Sequence, residues 1–225
     1  MQLTTITAKP FLKWAGGKAQ LIEQIAARLP IELQLGKIYR YIEPFIGGGA
    51  LFFHIAQMYD VEEFFISDVN EEIILAYKSI QKDVNSLINL LKGMERKYHR
   101  LTPNRQEEYF YAVRFQMNEK RPLMDFAHYN ESWLERTAQI IFLNRTCFNG
   151  LFRVNSKGEF NVPFGRYKNP LICSKDNLTS VSKLLQRTEI NLGDFTECES
   201  FVDSDTFVYF DPPYQSTNKF FKVRK

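Results

Sequence analysis

The 225-residue chain has little of what several protein classes require. Its three cysteines, Cys147, Cys173 and Cys198, lie far apart and form no CxxC pair, so neither a disulfide framework nor a zinc site is expected, and no metal ligand set stands out. The first ten residues lack the apolar stretch of a signal peptide, and no run approaches the ~18 apolar residues of a membrane span. A protein that makes no use of a membrane and stays in the cytoplasm is expected. The net charge of +3 is too small to point to a polyanionic partner unless the basic residues cluster. Internal repeats, low-complexity tracts and Pro/Ser linkers are absent.

Two nucleotide-binding patterns each lack a part. The stretch FLKWAGGK at 11–18 resembles a phosphate loop without its first glycine, and Ala19 replaces the Ser or Thr that would hold magnesium. This argues against a nucleoside triphosphatase. Phe52 stands where a dinucleotide fingerprint has its third glycine, which argues against a nicotinamide oxidoreductase.

What is present is a chain with 44% hydrophobic and 15% aromatic residues, enough to bury a core in one domain or in one domain carrying an insertion. Residues 21–29 read as a short helix ended by Pro30. Residues 39–45 read as a strand running into Gly47, Gly48 and Gly49, with helical character returning at 50–58. A second apolar run at 63–67 ends at Asp68, after which Asn70 can cap a helix. In that helix Ile73, Tyr77, Ile80, Val84, Leu87 and Leu91 fall on one face, a core stripe. Helices are expected around 106–117 and 133–143, a basic loop over 144–170, and strands at 189–192 and 206–210. Strand and helix signals at both ends with a helical, loop-rich middle predict an α/β domain, 1–71 with 186–225, interrupted by an inserted unit at 72–185.

Three clusters carry chemistry. Phe45, Gly47 and Gly49 let bare backbone approach a ligand at the carboxyl end of a strand, and Asp68, ending the next strand, can accept hydrogen bonds from ribose hydroxyls. In the DPPY sequence at 211–214 two prolines force the chain out of the sheet and hold Asp211 and Tyr214 stiffly at its edge. The Asp211 carboxylate and the Pro212 carbonyl can accept both hydrogens of an exocyclic amine while Tyr214 stacks on the heterocycle, turning the lone pair toward a methyl donor. In 144–170, Arg145, Arg153, Lys157, Arg166 and Lys168 face one acid, Glu159, and are interleaved with Phe148, Phe152, Phe160 and Phe164, as a phosphate-tracking, base-contacting surface requires.

These residues, with EPFIGGGA at 43–50, NRTCFNGLFRVN at 144–155 and GEFNVPFGRYKNP at 158–170, resemble the Dam-type (D12 class) DNA adenine-N6 methyltransferases over essentially the whole chain. The resemblance implies a Rossmann-like sheet that binds S-adenosyl-L-methionine, with an inserted, mainly helical DNA-recognition domain. It implies cofactor contacts from Trp14, Lys18, Phe45, Gly47, Gly49, Asp68, Asp194 and Asp211, and a flipped adenine received by Asp211, Pro212 and Tyr214. Double-stranded DNA is the implied partner, met by Lys13, Phe148, Asn149, Leu151, Arg153 and Pro163, with GATC as the sequence read. A restriction endonuclease system is a further partner that this family allows.

Family members carry several strands after the DPPY turn, whereas eleven residues follow Tyr214 here. The expectation is therefore a truncated or split form, incomplete at the C-terminal side of its sheet, poorly stable alone, and open to a complementing C-terminal fragment. Because the DPPY corner reads an amine rather than DNA as such, the rival enzymatic reading is methylation of RNA or of a glutamine side chain. The non-enzymatic rival is a remnant that binds DNA or cofactor without transfer.

Overall fold

The computed structural model describes residues 8–14 and 16–212. Its sheet has four parallel strands, β1 (Arg40–Glu43), β2 (Glu63–Asp68), β3 (Thr188–Leu192) and β4 (Thr206–Val208), in the order β3-β2-β1-β4. A parallel sheet is covered on both faces, so its inner strands are apolar without alternation. Tyr41 and Ile42 of β1 and Phe64, Phe65 and Ile66 of β2 are accordingly all buried. The chain proceeds from β1 outward to β2 and β3, then returns to place β4 on the other side of β1. The crevice at the carboxyl ends of β1 and β4 is therefore the point where strand order reverses, the place where open α/β sheets bind ligands.

Seven α-helices accompany the sheet among the described residues: α1 (Ile22–Ala26), α2 (Ile31–Gln34), α3 (Ala50–Met58), α4 (Glu71–His99), α5 (Pro103–Lys120), α6 (Ser132–Thr146) and α7 (Lys175–Leu185). The Asn70 side chain caps α4 by accepting from the amides of Glu72 and Ile73. The expected stripe along α4 is buried at Ile73, Tyr77, Ile80, Leu87 and Leu91, but the helix is broken at Asp83 (φ −149°, ψ 75°). Asp83 then caps the second half by accepting from the Ser86 amide at 3.0 Å.

One continuous core joins a face of the sheet to α3, α4, α6 and α7. The other face is covered by a short 3-10 helix, Phe195–Phe201, which sets Phe201 against Phe65 with ring centroids 4.4 Å apart. Within the core, Glu72 is buried with Arg136, whose Nε donates to it at 2.9 Å, and Arg121 Nη1 donates to the same carboxylate at 2.7 Å. Among the described residues no helix is long and apolar enough to cross a membrane.

Several element bounds differ from the sequence expectations. The strands expected at 39–45 and 206–210 are shorter, because Pro44 and the approach to Pro212 end the ladders early. The helix expected at 21–29 is reduced to α1, with α2 following Pro30, and α5 is longer than expected because it begins with Pro103 at its first turn. Helix α7, for which the sequence reading held no expectation, buries Leu178, Val181 and Leu185.

Candidate active site and nucleic-acid interface

After β1 the chain turns at Pro44 and enters the glycine loop, in which Gly47 (φ 44°) and Gly49 (φ 68°) take left-handed conformations that L side chains rarely adopt. Space is equally restrictive. A Cβ on Gly47 would lie 2.9 Å from the Trp14 indole, and one on Gly49 would collide with the Tyr77 hydroxyl. The glycines are thus required by the side chains packed behind and beside them, as well as by any ligand in front. The loop is held from below by Asp68, whose Oδ2 accepts from the Gly47 amide at 3.0 Å and whose Oδ1 accepts from the Asn70 amide at 2.9 Å. Burial raises the Asp68 pKa, and those backbone donors oppose the rise.

Asp211 leaves the end of β4 on the opposite side of the loop. Its Oδ2 lies 2.6 Å from Lys18 Nζ, which also donates to the Gly16 carbonyl at 3.1 Å. Between Asp68 and Asp211 is a cavity of about 500 Å³, lined by the glycine loop together with Trp14, Lys18, Glu43, Phe45 and Tyr209. Glu43, at the end of β1, was not singled out in the sequence. It is buried and accepts from the Tyr41 hydroxyl at 2.6 Å. Burial pushes its pKa up to about 8 against the hydrogen bonds from Tyr41 and the Phe52 backbone, and the Asp211 charge adds to the rise. A carboxyl this deep is held in its neutral form at and below neutral pH.

Beside the cavity, Phe45 stacks on Phe195 at 5.7 Å between centroids, and Phe210 stands 6.4 Å from Phe45. Asp194 is exposed, is not part of the cavity wall, and caps the 3-10 helix by accepting from the Thr196 amide at 3.1 Å. Pro212 lies at the cavity edge, and Tyr214 falls outside the described residues.

Apart from Lys13, the expected DNA-facing residues lie on a loop that two antiparallel bridges close into a hairpin, with Phe148 and Asn149 in a 3-10 turn near its base. Cys147 pairs with Phe164 and Val154 with Phe160, both antiparallel, and the tip turns at 155–159. Inside and outside alternate along the returning strand: Phe160, Val162 and Phe164 are buried while Pro163 is exposed. Arg153 is exposed beside that strand and donates through Nε to Asn161 Oδ1 at 2.8 Å. Phe148 is 51% exposed, and Asn149 next to it is exposed at φ 55°. Leu151 is half-buried against the core.

Part of the basic aromatic surface expected over 144–170 is interior. Phe160 and Phe164 belong to the core, Phe152 stacks on Trp14 at 5.2 Å, and Arg145 donates to the Phe11 carbonyl at 2.8 Å in a site whose burial lowers its pKa. These residues join the hairpin to the body. Asn144, also unremarked in the sequence, is the clasp: its Oδ1 accepts from the Lys13 amide at 2.8 Å, and its Nδ2 donates to the carbonyls of Lys13 and Gly150, both at 2.9 Å. Lys13 packs over Gly150 and places its ammonium 5.0 Å from the Tyr167 ring centroid. Lys13, Phe148, Asn149, Arg153 and Pro163 therefore belong to one connected surface, which Trp14 and Phe152 join to the cavity.

The sequence profile of the D12 class N6 adenine-specific DNA methyltransferases matches residues 14–225. The chain is 49% identical over 211 residues to the type II methyltransferase M.MjaIII of Methanocaldococcus jannaschii, covering 94% of this chain and 71% of that protein. It is 39% identical over 216 residues to the type II methyltransferase M1.LlaDCHI of Lactococcus lactis subsp. cremoris, covering 95% and 68%. It is 35% identical over 214 residues to the DNA adenine methylase of Haemophilus influenzae, covering 93% and 66%.

Proposed function

Because the chain belongs to the D12 class of N6 adenine-specific DNA methyltransferases, we propose that it methylates adenine N6 within GATC in duplex DNA, with S-adenosylmethionine as donor. The observation that carries this reading is the convergence of Asp68, the glycine loop and Asp211 on one cavity at the reversal point of the sheet. Its volume of about 500 Å³ is in the range of small-molecule sites. Two carboxyl groups, Asp68 and Asp211, suit a ligand that carries positive charge, and the ring of Phe45 suits a heterocycle. The donor, when bound, supplies an electrophilic methyl group.

The chain's own residues do the rest. Asp68 stiffens the glycine loop, so that the bare backbone at Gly47 and Gly49 forms a fixed wall, with Trp14 behind it. Lys18 engages Asp211 Oδ2, leaving Oδ1 to accept a hydrogen from the exocyclic amine of an adenine extruded from the duplex. The Pro212 carbonyl takes the second hydrogen and Tyr214 stacks on the base. Drawing both hydrogens to one side aims the amine lone pair across the cavity, and holding the reacting atoms in line lowers the entropic part of the barrier. Asp194 lies outside the cavity wall, and its proposed contact with the donor's adenine would have to be made beyond Phe195, which stacks against Phe45.

The target is read by Lys13, Phe148, Asn149, Leu151, Arg153 and Pro163, with the guanidinium of Arg153 suited to a bidentate contact with guanine. GATC is taken from the likeness of 144–170 to GATC-reading members. In this reading residues 72–185 form the recognition unit inserted between the two halves, 1–71 and 186–225, of the catalytic unit.

The test is incubation of the purified chain with methyl-labelled S-adenosylmethionine and GATC duplex, beside Asp211→Ala and beside a duplex with one base pair of the site changed. Label in GATC DNA with the unaltered chain alone is expected. Retained donor with no label in DNA favours binding without transfer, and equal label in both duplexes removes GATC as the target.

A further inference from the structure

The hairpin has an outer edge that no strand covers, and helix α5 covers it with side chains. In a two-stranded ribbon, alternate residues turn their backbone groups inward to the partner strand and outward to the edge. The inward groups are paired: the Asn161 amide donates to the Arg153 carbonyl at 3.1 Å and the Asn155 amide to the Glu159 carbonyl at 2.9 Å. The outward groups belong to Phe160 and Val162, both buried, where an unpaired amide or carbonyl is costly.

One side chain meets both outward groups of Phe160. Asn118 Oδ1 accepts from the Phe160 amide at 2.9 Å, and Asn118 Nδ2 donates to the Phe160 carbonyl at 3.0 Å, the pair of bonds a neighbouring strand would make. One helical turn earlier Arg114 Nη1 donates to the Val162 carbonyl at 3.2 Å. One turn later Arg121 lies against the hairpin tip, so close that a Cβ on Gly158 would be 2.6 Å from its Nε. Residues 114, 118 and 121 share a face of α5 and of the 3-10 turn Arg121–Leu123 that follows it, and they meet the hairpin at 162, 160 and 158, every second residue.

We propose that Asn118, with Arg114 and Arg121, is a positioning element for sequence recognition, a substitute strand that fixes the register of the DNA-reading hairpin. The inference rests on the reading of the hairpin as the base-contacting surface. Its logic is the two-residue period of a strand: a slip by one residue exchanges the buried side chains of Phe160 and Val162 for those of the half-buried Asn161 and the exposed Pro163, and misplaces Arg153, which is tied to Asn161. Asn118 pins one residue of the strand at both backbone groups, so it opposes that slip directly. Arg121 extends the hold toward the cavity, because its guanidinium donates to Glu71 and Glu72 in the first turn of α4, directly after Asn70.

The experiment selects bound duplexes from a random-sequence library with the full chain, with Asn118→Ala, with Asn118→Asp and with Arg153→Ala. Enrichment of the best site over its single-base neighbours should fall about tenfold or more in Asn118→Ala, the range that one base-reading contact commands. Total DNA bound should stay within about twofold, since phosphate contacts are untouched. Asn118→Asp, which keeps the acceptor and loses the donor, should fall between. Unchanged preference in Asn118→Ala, with preference lost in Arg153→Ala, overturns the inference while leaving the hairpin as reader. Unchanged preference in Arg153→Ala, or no site enriched by the unaltered chain, removes the reading on which it rests. A measurement independent of any variant's folding is amide hydrogen exchange at Phe160 in the unaltered chain. Protection comparable to the amides of α6 is expected, and exchange as fast as an exposed loop overturns the inference.

Discussion

The ammonium of Lys18 lies 2.6 Å from Asp211 Oδ2, so a residue near the start of the chain holds the carboxylate that leaves the end of β4. Both side chains are largely shielded, which makes the pair stronger than one on an open surface. Replacing Lys18 by Met removes the cation and releases Asp211 from its fixed orientation. Donor affinity measured by equilibrium dialysis should drop about tenfold or more, and Lys18→Arg should restore part of it. Affinity within twofold of the unaltered chain would show that the pair does not organise the site.

Gly49 is doubly constrained, by its φ of 68° and by Tyr77, whose hydroxyl occupies the space of a Cβ. Gly49→Ala should destabilise the protein by about 1–3 kcal/mol for the strained backbone and by a similar amount for the collision. Adding Tyr77→Phe removes the colliding oxygen and should recover the second share only. Urea unfolding of the two single variants and the double variant measures this, and strictly additive losses would mean the hydroxyl is not the obstacle.

The Glu43 pKa, raised by burial to about 8 from an ordinary 4.5, makes stability depend on pH. Below about pH 4.5 both folded and unfolded chains carry the proton, and this group favours neither. Between about 4.5 and 8 the unfolded chain has lost it while the folded chain keeps it, so folding must take up a proton and stability falls as pH rises. Above about 8 the loss is complete. Glu43→Gln should therefore flatten the stability profile between pH 5 and 8 by up to about 1.4 kcal/mol per pH unit. Parallel profiles for the two proteins in denaturant titrations would show that Glu43 ionises freely.

Arg136 and Glu72 are both buried, with Arg121 as the second cation on Glu72. Arg136→Met should cost about 3–5 kcal/mol, because a buried carboxylate loses a principal partner. Replacing both residues, Arg136→Met with Glu72→Leu, should recover much of that loss. Thermal melts of the single and double variants decide it: a double variant no more stable than the single would make shape, rather than charge, the reason for the pair.

Much of the fold was legible because its signals are local. The run ending at Asp68, the cap at Asn70 and the stripe on α4 each follow from residues near one another in sequence, and the break at Asp83 escaped notice because apolar spacing continues across it. Helix α7 was not expected, although Leu178, Val181 and Leu185 fall at three- and four-residue steps that a closer reading of the spacing would have caught. The site was legible at its glycines and at Asp68 and Asp211, whose types announce turns and ligands. What escaped were roles set by distant partners. Arg145 reads as a surface cation until the Phe11 carbonyl is seen against it, Asn144 and Asn118 have ordinary side chains whose meaning comes from residues tens of positions away, and Glu43 takes its character from the burial that the assembled fold imposes. For Glu43 one signal was available, an acid at the end of an otherwise apolar strand directly before the glycines.

The clasp between Asn144 and Lys13 fastens together parts of the chain that lie far apart in sequence. Trp14, next to Lys13, backs the glycine loop, and Asp211 on the opposite wall leaves the end of β4, so the cavity exists only when these long-range contacts are made. Whatever the cavity holds therefore binds the folded chain and not the unfolded one, and its presence must raise the stability of the whole molecule by mass action.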